Sequence, residues 1–183
     1  MKAALLCNGP SRELFKSRED YNFVMGCNVP WTNVDATVVL DKEIIDKWAK
    51  NPELIQCTTY FSVDAWRRTD EIKQRDLFKP YLKELITPKF PYHSSGHNAA
   101  EILIKLGYTD IDIYGCDSYF SDVTQTYTRT IITKKHSSDG SMKHIIGWRN
   151  RWNEIIQKNP NVRLNFIGYD NIYSPRYTET KTD

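Results

Sequence analysis

Residues 94–117 read SSGHNAAEILIKLGYTDIDIYGCD. Ser94-Ser95-Gly96 supplies the small polar residues that open a helix. Ala100, Leu103, Ile104 and Leu106 then recur on or near one helical face, and Gly107 provides the stop. From Asp110 the pattern changes to a short apolar run ending in Gly115-Cys116-Asp117. A helix leading directly into a buried strand is part of a βαβ unit, so the rest of the chain should supply parallel strands.

It does. Upstream, Ala3–Cys7 is a short apolar run ended by Asn8-Gly9-Pro10-Ser11, with Ser11 placed to cap a helix starting at Arg12. Asn22–Cys27 and Ala36–Leu40 read as the next strands, and Leu54–Phe61 as another. Residues 42–48, after Asp41, space their apolar side chains as an amphipathic helix. Asp64 to Pro91, interrupted by Pro80, Pro88 and Pro91, reads as a helical or irregular excursion. Lys143–Lys158 is a strong helix carrying Ile145, Ile146, Trp148, Trp152, Ile155 and Ile156, and residues 161–170 form a last strand. The fold class is α/β: a Rossmann-like, mostly parallel sheet with helices on both faces, plus a flexible lid at about residues 118–143. One nucleotide-binding domain over residues 1–173 and a polar tail over 174–183 are expected.

The 183 residues suit one domain of ordinary globular composition, and a net charge of +2 carries no strong nucleic-acid signal. Aromatic content of 13%, with 11 Tyr and 5 Trp, exceeds what a plain core needs and points to a cleft or interface. The four cysteines lack a Cys-x-x-Cys pair, so neither a zinc site nor a disulfide framework is expected. Three of them end or follow strands, where a reduced thiol serves as a small buried hydrophobe. No long apolar span or leader pattern is read, and the cytoplasm is the expected location. A homo-oligomer is compatible with the sequence.

Sheets of this class bind ligands outside the carboxyl ends of their strands. Here those ends collect Asn8-Gly9-Pro10-Ser11, Asn28, Asp41 and Asp117-Ser118. Asn8-Gly9-Pro10-Ser11 reads either as a plain strand–turn–helix or as a loop whose N–H groups face an anion. Ser94-Ser95-Gly96 is a second such place, with N-capping as the simpler alternative. His93 and His97 have no third partner at metal spacing, so an ordinary polar role is expected for both. His144, at the start of the Trp-rich helix, has a side chain suited to general-base work at neutral pH, with His136 as competitor. Tyr119 and Tyr127 read either as packing residues or as phenols that support a departing phosphate. No Asp-x-Asp motif of the kind that holds a donor through a divalent ion is read, and no metal or cofactor is assigned.

The order LLCNGPS (5–11), NFVMGCN (22–28), ATVVLD (36–41) and SSGHNAAEILIKLGYTDIDIYGCDSYF (94–120) resembles the compact bacterial sialyltransferases of lipo-oligosaccharide synthesis. It is also similar to a broader group that includes the hydroxymethylpterin pyrophosphokinases and uncharacterised phage proteins. The sialyltransferase resemblance implies a metal-independent glycosyltransferase that takes a CMP-sugar donor and a hydroxyl-bearing acceptor. It implies donor contacts from Asn8, Gly9, Pro10, Ser11, Asn28, Ser94, Ser95 and Gly96, with Asp41 and Asp117 at the same edge. It further implies His144 as base and Tyr119 and Tyr127 at the leaving phosphate. Asp41 stands where those enzymes carry an Asn that contacts the nucleotide, and a carboxylate there repels phosphate at close range. The alternatives are a Mg²⁺-dependent phosphoryl or pyrophosphoryl transferase using Asp41 and Asp117, or a non-catalytic nucleotide or small-molecule binder.

Overall fold

The structure, a computed structural model, describes residues 1–89, 93–120 and 142–168. Seven parallel strands make one sheet: β1 (Lys2–Leu6), β2 (Phe23–Cys27), β3 (Ala36–Val39), β4 (Thr58–Ser62), β5 (Leu82–Ile86), β6 (Asp110–Tyr114) and β7 (Arg163–Ile167). Their order across the sheet is β5-β4-β3-β2-β1-β6-β7. Five α-helices connect them among the described residues: α1 (Lys42–Lys50), α2 (Val63–Glu71), α3 (Arg75–Phe78), α4 (Ser95–Lys105) and α5 (Met142–Lys158). This is the expected Rossmann-like α/β architecture.

Successive strand side chains alternate between the two faces, and the central strands are apolar on both. Ala3 and Leu5 of β1 join Ile111 and Ile113 of β6 on the face covered by α4 and α5. Ala99, Ala100 and Leu103 of α4 are fully buried there, the two alanines allowing the helix close against β1, β2 and β3. Gly107, at φ +90°, ends that helix in the left-handed conformation, with its N–H donating to the carbonyl of Ile104. Trp152 and Ile155 of α5 close over Phe166 of β7. Each such large apolar side chain contributes about 1.5–3 kcal/mol by leaving water.

On the opposite face α1, α2 and α3 bury Ile44, Ile45, Trp48, Ala65, Trp66 and Phe78 against Val39 and Phe61. Ser62 starts α2 as its N-cap, accepting from the Ala65 N–H (3.0 Å) while its own hydroxyl donates to the Leu40 carbonyl (2.9 Å). Nearer the centre of that face, Ala4, Leu6, Val24 and Tyr114 lie under Phe15, Tyr21 and Trp31.

Three local expectations are corrected. The segment after Ser11 is a 3₁₀ turn, Pro10–Leu14, with Gly9 rather than Ser11 at its cap position. The strand expected over Leu54–Phe61 begins only at Thr58, because Pro52–Leu54 forms a 3₁₀ turn. The excursion over 64–91 holds α2 and α3, as read, but also β5, an edge strand whose middle residues are exposed. Its Leu-Lys-Glu-Leu-Ile pattern serves helix and strand equally; pairing with β4 decides it.

Candidate functional site

The chain leaves β1 toward β2 on one side and places β6 on the other, so the strand order reverses at β1. A crevice between the loops after β1 and β6 is the usual ligand position in such a sheet. Here the two loops are clipped together. The Gly9 N–H donates to the Gly115 carbonyl (2.8 Å), and the Gly115 N–H donates to Ser11 Oγ (3.1 Å). The Ser11 N–H donates to both carboxylate oxygens of Asp117, at 3.2 and 3.0 Å. A Cβ on Gly9 would lie 2.1 Å from Asp117 Oδ2 and 2.5 Å from the Gly115 carbonyl oxygen, so only glycine permits this approach. Burial pushes the Asp117 carboxyl above its ordinary value, against the Ser11 bonds that lower it. The amides expected to hold an anion at Gly9 and Ser11 are therefore already engaged, and the group that engages Ser11 is itself a carboxylate.

One strand over, the ends of β1 and β2 meet the start of α4. Asn8 Nδ2 donates to the Cys27 carbonyl (2.9 Å), while its buried Oδ1 has no hydrogen-bond partner among the described residues. Asn28 has φ +57°, a left-handed conformation that Asn tolerates better than most residues. Its N–H donates to the Val38 carbonyl (2.8 Å) and its carbonyl accepts from Thr37 Oγ1 (3.0 Å), which aims the side chain along the sheet edge. There Asn28 Oδ1 accepts the Ser95 hydroxyl at 3.2 Å. A Cβ on Gly96 would come within 2.9 Å of Cys7 Sγ, so the first turn of α4 sits directly against the β1 end. Asn8, Asn28, Ser95 and Gly96 thus form one constellation at the positive end of an eleven-residue helix.

Ser94 and His97 hold that helix start in place through a capping box. The Ser94 N–H donates to His97 Nδ1 (3.0 Å), so Nδ1 is unprotonated and Nε2–H donates to the Trp148 carbonyl of α5 (3.0 Å). The ring lies 4.4 Å from that of Trp152. Burial drives the His97 pKa down to about 3, so the imidazole is neutral. His97 is a positioning residue that joins α4 to α5. His93, also buried, places Nε2 3.3 Å from Glu101 of α4.

The remaining sequence candidates are spread differently. Pro10 is the first residue of the 3₁₀ turn, and Asp41 occupies the cap position of α1 at the end of β3. Tyr119 is buried with its ring stacked on that of Phe166 at 3.7 Å. His144 falls in the first turn of α5, four residues before Trp148. Arg149 Nε anchors the same helix to the Ser118 carbonyl at 2.8 Å. Tyr127, His136 and most of the expected lid lie outside the described residues.

The expected absence of an Asp-x-Asp motif is corrected. Asp110-Ile111-Asp112 is an Asp-x-Asp, but it runs along β6 away from the polar edge. Asp110 accepts from Arg163 and Asn165, and Asp112 from Tyr21 and Asn165 while pairing with Lys2 at 2.8 Å. Both carboxylates serve the sheet.

No family model matches the chain, and no curated protein matches it in sequence. Solved structures do. The sialyltransferase CST-II, in complex with a trisaccharide acceptor and CMP, superposes with a TM-score of 0.54 at 16% identity, covering 91% of this chain and 80% of that one. The chain has a sialyltransferase-like fold. A point mutant of the alpha-2,3/8-sialyltransferase CstII gives 0.50 at 16% identity, over 91% and 81% of the two chains. Within this sialyltransferase-like fold the open constellation lies between β1, β2 and α4, beside a closed β1–β6 crevice. No helix among the described residues is long and apolar enough to cross a membrane.

Proposed function

We propose that this chain is a metal-independent glycosyltransferase that moves a sugar from a CMP-activated donor to an acceptor hydroxyl, with His144 as general base. The observation that carries the reading is the joining of Asn8, Asn28 and Ser95 at the first turn of α4, on the fold of an enzyme solved with CMP and a trisaccharide acceptor. The donor phosphate sits over the amides of Ser95 and Gly96, which have no partner among the described residues, where the helix dipole favours negative charge. Asn8 Oδ1, buried and unpaired, accepts a donor N–H or O–H from the nucleoside. Asp117 keeps the phosphate away from the β1–β6 side by charge, and Asp41 faces ribose hydroxyls rather than phosphate.

In the reaction the acceptor oxygen forms a bond to the anomeric carbon as the carbon–oxygen bond to the phosphate breaks. CMP leaves with that electron pair, and His144 takes the acceptor proton. The leaving charge develops next to the α4 start, where fixed dipoles are already aimed at it. Tyr127 supports the leaving phosphate from the lid, with Tyr119 restricted to packing.

The test is incubation of the whole chain with CMP-, UDP- and GDP-sugars while nucleotide release is followed. CMP release, unaffected by EDTA, is the expected result. His144→Ala should lower transfer by about 10²–10⁴-fold while CMP binding persists. Undiminished transfer in that variant removes His144 as base. Activity lost to EDTA and restored by Mg²⁺ replaces this reading with the phosphoryl-transfer one.

A further inference from the structure

The constellation contains a repeat. Cys7-Asn8-Gly9-Pro10 ends β1, and Cys27-Asn28-Val29-Pro30 ends β2. The strands are adjacent and parallel, with Leu6 beside Gly26, so one residue further on Cys7 lies beside Cys27. Their sulfurs are 4.0 Å apart. Each cysteine directly precedes one of the two asparagines that define the open edge of the site. The Cys7 sulfur also faces the first turn of α4, against Gly96. All four cysteines are reduced, and Cys7 is more accessible than the buried Cys27.

We propose that Cys7 and Cys27 are a reversible dithiol–disulfide pair that controls the spacing of Asn8 and Asn28. Adjacent in-register strand positions fall within the range a disulfide bridges, and closing the sulfurs to about 2.05 Å takes side-chain rotation with a small shift of the strand ends. The oxidant is a peroxide. The Cys7 thiolate attacks it, giving a sulfenic acid and releasing hydroxide that becomes water. The Cys27 sulfur then displaces the sulfenic oxygen as a second water. Two thiols and one hydrogen peroxide become one disulfide and two waters; the thiols are oxidised and the peroxide reduced. A hydrogen bond with Cys116 lowers the Cys7 pKa, but the bond with Cys27 and burial outweigh it and hold the thiol well above its ordinary value, so the reaction is slow at neutral pH and quickens as pH rises.

Closure draws the two strand ends together, tilts the Asn28 side chain off Ser95 and disturbs the bond from Asn8 to the Cys27 carbonyl. The effect on ligand rests on the function proposed above; formation of the bond does not. The experiment treats the whole protein with hydrogen peroxide, counts free thiols, maps the linked peptides and measures CMP affinity before and after dithiothreitol. Two thiols should disappear, map to Cys7–Cys27 and return on reduction, out of four in the wild type and out of three in Cys116→Ser, but not in Cys27→Ser. CMP affinity should fall by about tenfold in the oxidised form, the worth of one well-placed hydrogen bond. A bond mapped to Cys7–Cys116, or four thiols surviving at pH 9, overturns the pairing. Equal CMP affinity in both forms overturns the control of spacing. A mapped, reversible Cys7–Cys27 bond in a protein that binds no CMP in either form upholds the pair and overturns the nucleotide reading instead.

Discussion

Two turns at the same edge of the sheet carry nearly the same chemistry in sequence, and the fold uses them in opposite ways. Asn8-Gly9-Pro10-Ser11 has glycine, a hydroxyl and backbone amides, yet its amides are spent on Gly115 and Asp117. Ser94-Ser95-Gly96 has the same ingredients and begins a true α-helix. Its capping box secures one end while the amides of the next two residues have no partner among the described residues. The difference lies in the partner each turn meets. The first lies beside a strand end carrying its own carboxylate, and the second beside strand ends carrying asparagines. An anion-loop signature therefore reports the supply of donors, and the neighbouring strand decides who receives them.

The contrast is most easily broken at its two glycines. Gly9→Ala places a methyl inside the Asp117 carboxylate and the Gly115 carbonyl, and should cost about 3 kcal/mol or more in a denaturant titration. Gly96→Ala meets the Cys7 sulfur at 2.9 Å and Trp152 only at an ordinary 3.5 Å, and gains about 1 kcal/mol of helix propensity, so its stability should stay within about 1–2 kcal/mol of the parent. Equal losses in the two variants would mean that both turns are closed.

Acid should separate the regions next. His97 is neutral in the folded chain down to about pH 3, whereas in the unfolded chain it takes up a proton near its ordinary 6.5. The unfolded state thus binds more protons in that window, and its share of stability is lost as pH falls from about 6.5, at about 1.4 kcal/mol per pH unit. His97→Gln should remove that slope while leaving the β1–β6 clip intact. A slope unchanged in the variant would place the acid sensitivity elsewhere.

The smallest effects come from the serines, and they should cross over. Ser11→Ala leaves the buried Gly115 N–H without its acceptor, costing about 1–3 kcal/mol of stability with CMP affinity unchanged. Ser95→Ala should change stability by under about 1 kcal/mol and weaken CMP by about tenfold. Calorimetric melting and CMP titration on the same two samples check both halves.

Much of this was legible in the residues. β1, β2, β3, β6 and β7 are apolar runs with polar stops, and α1, α4 and α5 carry helical periodicity with their caps. β5 was not legible, because Leu-Lys-Glu-Leu-Ile sets its two charges side by side and so lacks the alternation that marks a strand. The site was legible as a line of polar strand ends, since topology alone brings Asn8, Asn28 and Ser95 to one edge. Asp117 as the clip was not, since it depends on a contact made across 106 residues. The repeated Cys-Asn-x-Pro was visible in the sequence, and only the register of β1 on β2 gives it meaning.

The bond from Ser11 to Asp117 spans 106 residues, and that distance sets a timetable for the nascent chain. β1 is synthesised more than a hundred residues before its second neighbour, β6. At roughly 5–20 residues per second the wait is on the order of ten seconds, with an apolar Ala-Ala-Leu-Leu edge open to any other strand. Chains stopped before residue 110 keep that edge and should aggregate, while chains that extend past β6 can seal it. The clip that takes the amides of Gly9 and Ser11 from a ligand is also the latch that covers the β1 edge once β6 has been made.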